Sequence, residues 1–189
     1  MREHMKMELF PRKGGVKSEL AKARREGFIP VIVYGAGLSD SKPMMVRLGE
    51  FDSCLREVKK GALSTVRFDS ELDGKKVQLI VKDIAYAKTT YAVLHIDLQL
   101  VDKDKPVEVF VPIFSENEDR CVGITQGGMI KRIKRCVRVR AKPAQIPSEF
   151  VIDMTNMSLG QRFTVSELQI PEGVEMREEA KQVLLTIGK

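Results

Sequence analysis

His95 and Asp97 are the one pair in this 189-residue chain suited to acid–base chemistry, since only two histidines are present and His4 is expected in a frayed terminus. A histidine titrates near neutrality and a neighbouring carboxylate can orient it. Residues two apart in a strand share a face. With Ile96, Leu98 and Leu100 turned inward, His95, Asp97 and Gln99 would form an outward polar row, which is a display surface and not a closed pocket. A plain solvated strand face fits the same periodicity.

The second constellation is cationic. From Arg12 to Arg25 six basic residues (Arg12, Lys13, Lys17, Lys22, Arg24, Arg25) stand against one acid, Glu19, and the run leads into the apolar segment Ile29 to Gly35. A basic segment held beside a rigid strand can match phosphate spacing, which a floppy tail cannot. Charge runs are usually just solvated faces. Here only Lys22 meets an acid at i+4 (Glu26), whereas Arg24 and Arg25 meet Phe28 and Ile29, so the run is not self-neutralising. It reads as the edge of an RNA-binding surface. Tyr34, at the end of the apolar segment, could stack on a nucleotide or simply close the rim of the core.

A second basic cluster (Lys131, Arg132, Lys134, Arg135, Arg138, Arg140, Lys142) has no acid between Asp119 and Glu149. Arg138, Arg140 and Lys142 alternate with Val137, Val139 and Ala141, on one face of a strand. Two readings stand: contact with RNA, or neutralisation of acidic loops such as Glu116 to Asp119.

Other chemistries fail on spacing. Gly14-Gly-Val-Lys-Ser18 lacks the Walker pattern, and Gly35-Ala-Gly37 has Asp40 where a dinucleotide fingerprint needs glycine. Cys54, Cys121 and Cys136 are odd in number and far apart, which supports neither a disulfide framework nor a zinc site. No apolar run approaches the roughly 18 residues of a membrane span, and the charged start is no signal peptide. A cytoplasmic protein without cofactor, metal, membrane or small-molecule substrate is expected; Met1, Met5 and Met7 are all possible starts. The net charge of +6 sits almost wholly in residues 1 to 100, with 18 Lys/Arg against 13 Asp/Glu, so the anion-binding half is N-terminal.

The elements that must position these groups are mostly strands. A short helix capped by Ser18 should end at Gly27, and a second, with Phe51, Cys54, Leu55 and Val58 on one face, at Gly61. Strands are expected at 31–34, 63–68, 76–84 and 91–101, with a hairpin turn at Asp73-Gly74. The charged, proline-ended segment 102–106 reads as a hinge, dividing the chain into domains 1–101 and 102–189. Beyond it, strands are expected at 107–111, 128–139, 150–154 and 183–187, with a helical turn beginning at Ser166.

Several segments, in this order, resemble the bacterial large-subunit ribosomal protein twenty-five family in its long, general-stress (Ctc) form. They are Pro-Arg-Lys (11–13), Ala-Arg-Arg-Glu-Gly-Phe-Ile-Pro (23–30), Val-Ile-Val-Tyr-Gly (31–35), Val-Lys-Asp (81–83) and His-Ile-Asp-Leu (95–98). Gly-Gly-Met-Ile (127–130), Pro-Ala-Gln-Ile-Pro (143–147) and Pro-Glu-Gly-Val-Glu (171–175) resemble that form's C-terminal domain.

The resemblance implies a mainly β protein: an N-terminal β-barrel with a few short helices that binds the loop E region of 5S rRNA, and a C-terminal β-rich domain directed at neighbouring ribosomal proteins. It carries RNA contact to Arg12, Lys13, Lys22, Arg24, Arg25, Tyr34, Gly35, Lys82, Asp83, His95 and Asp97. Cations suit the phosphate rims of a shallow RNA groove, and His95 and Asp97 suit its floor. Family members often carry a denser arginine cluster where this chain has Ala21, Lys22 and Ala23. The implied protein is a structural constituent of the large subunit and no enzyme. The alternatives are a stress-induced accessory acting through its C-terminal domain, and an RNA-directed enzyme using His95 and Asp97.

Overall fold

Seven strands with the order β1-β5-β6-β7-β3-β4-β2 form one mixed sheet in the first of two units, Met1–Lys105. The computed structural model describes residues 4–12, 17–35 and 37–189, Lys17 by its backbone only. In chain order the unit holds β1 (His4–Lys6), β2 (Phe10–Pro11), α1 (Lys17–Arg25), β3 (Phe28–Gly35) and β4 (Lys42–Arg47). There follow α2 (Leu48–Glu57), a 3₁₀ turn (Leu63–Thr65), β5 (Arg67–Leu72), β6 (Lys75–Tyr86) and β7 (Val93–Val101).

The sheet must curl strongly. β1 pairs with β5 at one edge and β2 with β4 at the other, yet only Met7, Glu8 and Leu9 join them. Four residue steps reach roughly 14 Å, whereas six strand spacings of a flat sheet would span about 29 Å. The curl wraps Val31, Val33, Val46, Phe68, Leu79, Val81, Ile96 and Leu98 into one core, which Phe51 of α2 completes. His4 is therefore not frayed: it lies in β1, opposite Arg67, with its Nδ1 3.4 Å from Asp69 Oδ2.

Other boundaries move for local reasons. Ser18 lies within α1, whose first residue is Lys17. Residues 63–65 form a turn instead of a strand start, because Thr65 N and Oγ1 both donate to the Ala62 carbonyl (3.1 and 2.8 Å). Asp73 and Gly74 both have positive φ, as a tight hairpin of this handedness requires. β4 has no strand signal of its own, since Lys-Pro-Met-Met has little strand character.

The second unit, Pro106–Lys189, holds β8 (Val107–Glu116), α3 (Val122–Thr125), β9 (Met129–Arg132), β10 (Cys136–Ala141), β11 (Phe150–Asp153), β12 (Arg162–Thr164), β13 (Val174–Met176) and β14 (Val183–Gly188). A four-stranded sheet, β11-β8-β10-β13, accompanies a three-stranded one, β12-β14-β9. The expected single strand 128–139 is split between them. Ile133 N and Lys134 N both donate to the Leu184 carbonyl (2.9 and 3.0 Å), which anchors the crossing. The helical turn near Ser166 is opened by Thr164, through a capping box with Glu167.

Candidate nucleic-acid interface

The candidate interface lies on the outer face of β6, β7 and β3. Along β7 the alternation holds: Ile96 and Leu98 are fully buried, while His95, Asp97 and Gln99 face outward and are half-buried. In the parallel pairing with β3, Asp97 lies opposite Ile32 and Gln99 opposite Tyr34; across the antiparallel pairing with β6, Asp97 lies opposite Asp83 and His95 opposite Ala85. Paired residues share a face, so Tyr34, Asp83, His95 and Asp97 are brought together.

His95 Nδ1 lies 2.9 Å from Asp97 Oδ1, with side-chain exposures of 27% and 41%. The Tyr34 phenol is held above its ordinary pKa by burial first, then by the charges of Asp97 and Asp83, and so stays a neutral donor. Asp83 Oδ1 accepts from the Ile84 amide at 2.9 Å.

Two β-bulges shape this face. Val81 pairs with Leu98 and Asp83 with Asp97, which leaves Lys82 as the extra residue on β6. Further along, Ala85 pairs with His95 and Tyr86 with Val93, so Leu94 is the extra residue on β7. A bulged residue drops out of the ladder and must be satisfied otherwise. Arg24 does this: its Nε and Nη2 donate to the Leu94 carbonyl at 3.3 and 3.0 Å. The last turn of α1 is thereby tied to the residue before His95.

The remaining cations sit around α1. Lys22 Nζ is 3.8 Å from Glu26, as the i+4 spacing suggests, and Arg25 Nε donates to the Ala21 carbonyl at 3.3 Å. Arg12 Nε donates to the Met44 carbonyl at 3.1 Å, and Arg12 shares a cleft with Lys22, Phe28 and Met45. Ala23 is buried, which explains an alanine within this basic turn. Gly35 has φ +122, and a Cβ there would stand 2.6 Å from the Leu100 carbonyl oxygen, so strand packing alone demands glycine. Lys13 lies outside the described residues, as do positions 14–16 of the glycine pair and its neighbour.

In the second unit two members of the basic cluster, Arg132 and Lys134, pair with acids of their own unit. Arg132 Nη2 lies 2.5 Å from Glu118 Oε1, and Lys134 Nζ 2.6 Å from Glu178 Oε2. Arg140 stands in register between Glu108 of β8 and Glu175 of β13, and Arg177 lies 3.6 Å from each of these carboxylates. Val137, Val139 and Ala141 are buried, as their alternation requires.

An open sheet face of mixed cations and paired polar groups, carried by one of two β-rich units, is the equipment of a binding protein. No helix among the described residues is long and apolar enough to cross a membrane. Residues 7–98 match the family model described as Ribosomal L25p family, and residues 106–189 match that of Ribosomal protein TL5, C-terminal domain. The chain is 35% identical to the Large ribosomal subunit protein bL25 of Chlamydia pneumoniae over 185 residues, 98% of this chain and the whole of that relative. Identity to the proteins of the same name from Chlamydia abortus and Chlamydia caviae is 32% and 31% over the same lengths. The chain belongs to the ribosomal L25p family, a family of structural, non-enzymatic ribosomal proteins.

Proposed function

We propose that this protein is a cytoplasmic constituent of the large ribosomal subunit that binds 5S rRNA, at its loop E region, through the outer face of β6, β7 and β3. The observation that carries this reading is the grouping of Tyr34, Asp83, His95 and Asp97 on one face with Arg24 fixed at its end. Duplex RNA offers a shallow minor groove rimmed by phosphates and 2′-hydroxyls. Arg12, Lys13, Lys22, Arg24 and Arg25 serve the rims, with Lys82 beside them. His95, Asp97, Asp83 and Tyr34 meet base edges and sugar hydroxyls, and Gly35, next to Tyr34, completes the contact set. Asp97 among phosphates would be repelled unless it accepts from a base amino group or a hydroxyl, so it contributes recognition and not affinity. The second unit supplies contacts with neighbouring ribosomal proteins.

Filter binding of the full chain to 5S rRNA and to an unrelated duplex of equal length, over a range of salt, tests the reading. A clear preference for 5S rRNA is expected, with log affinity falling by about 0.9 per neutralised phosphate against log salt. Equal affinity for the two RNAs would defeat it.

A further inference from the structure

Gln99 is the last polar residue of the outward row on β7, roughly 13 Å of strand beyond His95. Its register neighbours across the sheet are Tyr34 of β3, which is half-buried, and Ile80 of β6, which is buried. The Gln99 stem lies over Gly35: a Cβ added there would stand 3.3 Å from Gln99 Cγ. The missing side chain at Gly35 thus leaves room for that stem. The Gln99 amide has no hydrogen-bond partner among the described residues, and neither of its polar atoms is sealed from solvent.

The other polar groups of this face are committed or one-sided. His95 Nδ1 lies 2.9 Å from Asp97 Oδ1, Arg24 donates to the Leu94 carbonyl, and the carboxylates of Asp83 and Asp97 only accept. A primary amide carries an acceptor and two donors side by side, without charge. The minor groove of duplex RNA displays base edges and 2′-hydroxyls, and guanine adds an amino donor there where other bases show only acceptors. We propose that Gln99 is a further specificity-determining residue of the RNA interface, whose side-chain amide takes a donor and an acceptor of the minor-groove edge alongside Tyr34. Gly35 serves that contact by leaving space for the Gln99 stem. This inference rests on the reading of the outer face given above.

The test titrates the full chain against purified 5S rRNA and an unrelated duplex of equal length, with Gln99→Met and His95→Ala measured in parallel. Methionine keeps an unbranched stem and removes the amide, so the fold should survive, and circular dichroism checks it. The 5S preference of Gln99→Met should fall about tenfold. Its slope of log affinity against log salt should stay that of the parent, since no charge is lost. Interference mapping with inosine in place of guanosine, and with 2′-deoxy nucleotides, reads the contact itself. At least one position should weaken the parent protein and leave Gln99→Met unaffected, an inosine position marking a base edge and a 2′-deoxy position a sugar hydroxyl. A 5S preference kept in Gln99→Met, with His95→Ala still reducing it, would overturn this inference alone. So would a preference lost with no position that separates variant from parent, because that marks a structural role. If the parent protein shows no 5S preference, the reading of the outer face fails and this inference fails with it.

Discussion

Arg24 donates from Nε and Nη2 to the single carbonyl of Leu94, so a helix residue and a bulged strand residue 70 positions apart are fixed to one another beside His95. The bulge frees the carbonyl and the guanidinium fork fills it. This joint holds the cationic helix against the polar row.

Replacing Arg24 by Ala should therefore have two separable effects. The lost hydrogen bonds should cost roughly 1 kcal/mol of stability, read as a small fall in Tm. The lost charge should lower the RNA salt slope by about one and weaken all RNAs alike. Arg24→Lys should keep the slope and still lose the fork, so its Tm should follow that of Arg24→Ala.

His95→Ala and Asp97→Ala should damage discrimination instead. Affinity for 5S rRNA should approach that for an unrelated duplex, by a factor in line with about 1–3 kcal/mol per lost recognition pair. Equal losses on every RNA would remove the recognition role from this pair.

Gly35→Ala should be costly to the first unit without touching charge. The added Cβ would meet the Leu100 carbonyl oxygen at 2.6 Å at φ +122. Such backbone strain costs about 1–3 kcal/mol before the steric clash is counted. Urea unfolding should show it, whereas Gly27→Ala, with the same sign of φ and no neighbour within 4 Å, should cost less.

Acid should loosen the second unit. Glu118 is held below its ordinary pKa by the Ser115 hydroxyl first and then by Arg132, and Glu178 by Lys134. Asp153 is lowered to about 2 by hydrogen bonds from Thr155 and Asn117. A carboxylate whose folded pKa is depressed stabilises above its unfolded value, near 4, and that contribution is lost as pH falls towards the folded one. Urea midpoints should thus fall between about pH 4.5 and 2. Glu178→Gln should flatten part of that dependence.

Much of this was legible in the chain because it is periodic. Ile96/Leu98 against His95/Asp97 and Val137/Val139 against Arg138/Arg140 read directly as two-faced strands, and Asp73-Gly74 as a turn. What could not be read depends on distant partners. β1 exists because β5 offers an edge to His4–Lys6, and β9 and β10 separate because Leu184 catches the chain between them. The bulges at Lys82 and Leu94 follow from pairing register, which no local pattern reveals, and with them went the joint to Arg24.

The most direct measurement is amide chemical-shift mapping of the isotope-labelled full chain as the loop E helix of 5S rRNA is added. The largest shifts are expected at Arg24, Tyr34, Asp83, His95 and Asp97, with β1 and its partner β5 little changed. Shifts concentrated in the second unit, or along β1 and β5 with the His95 row silent, would contradict it.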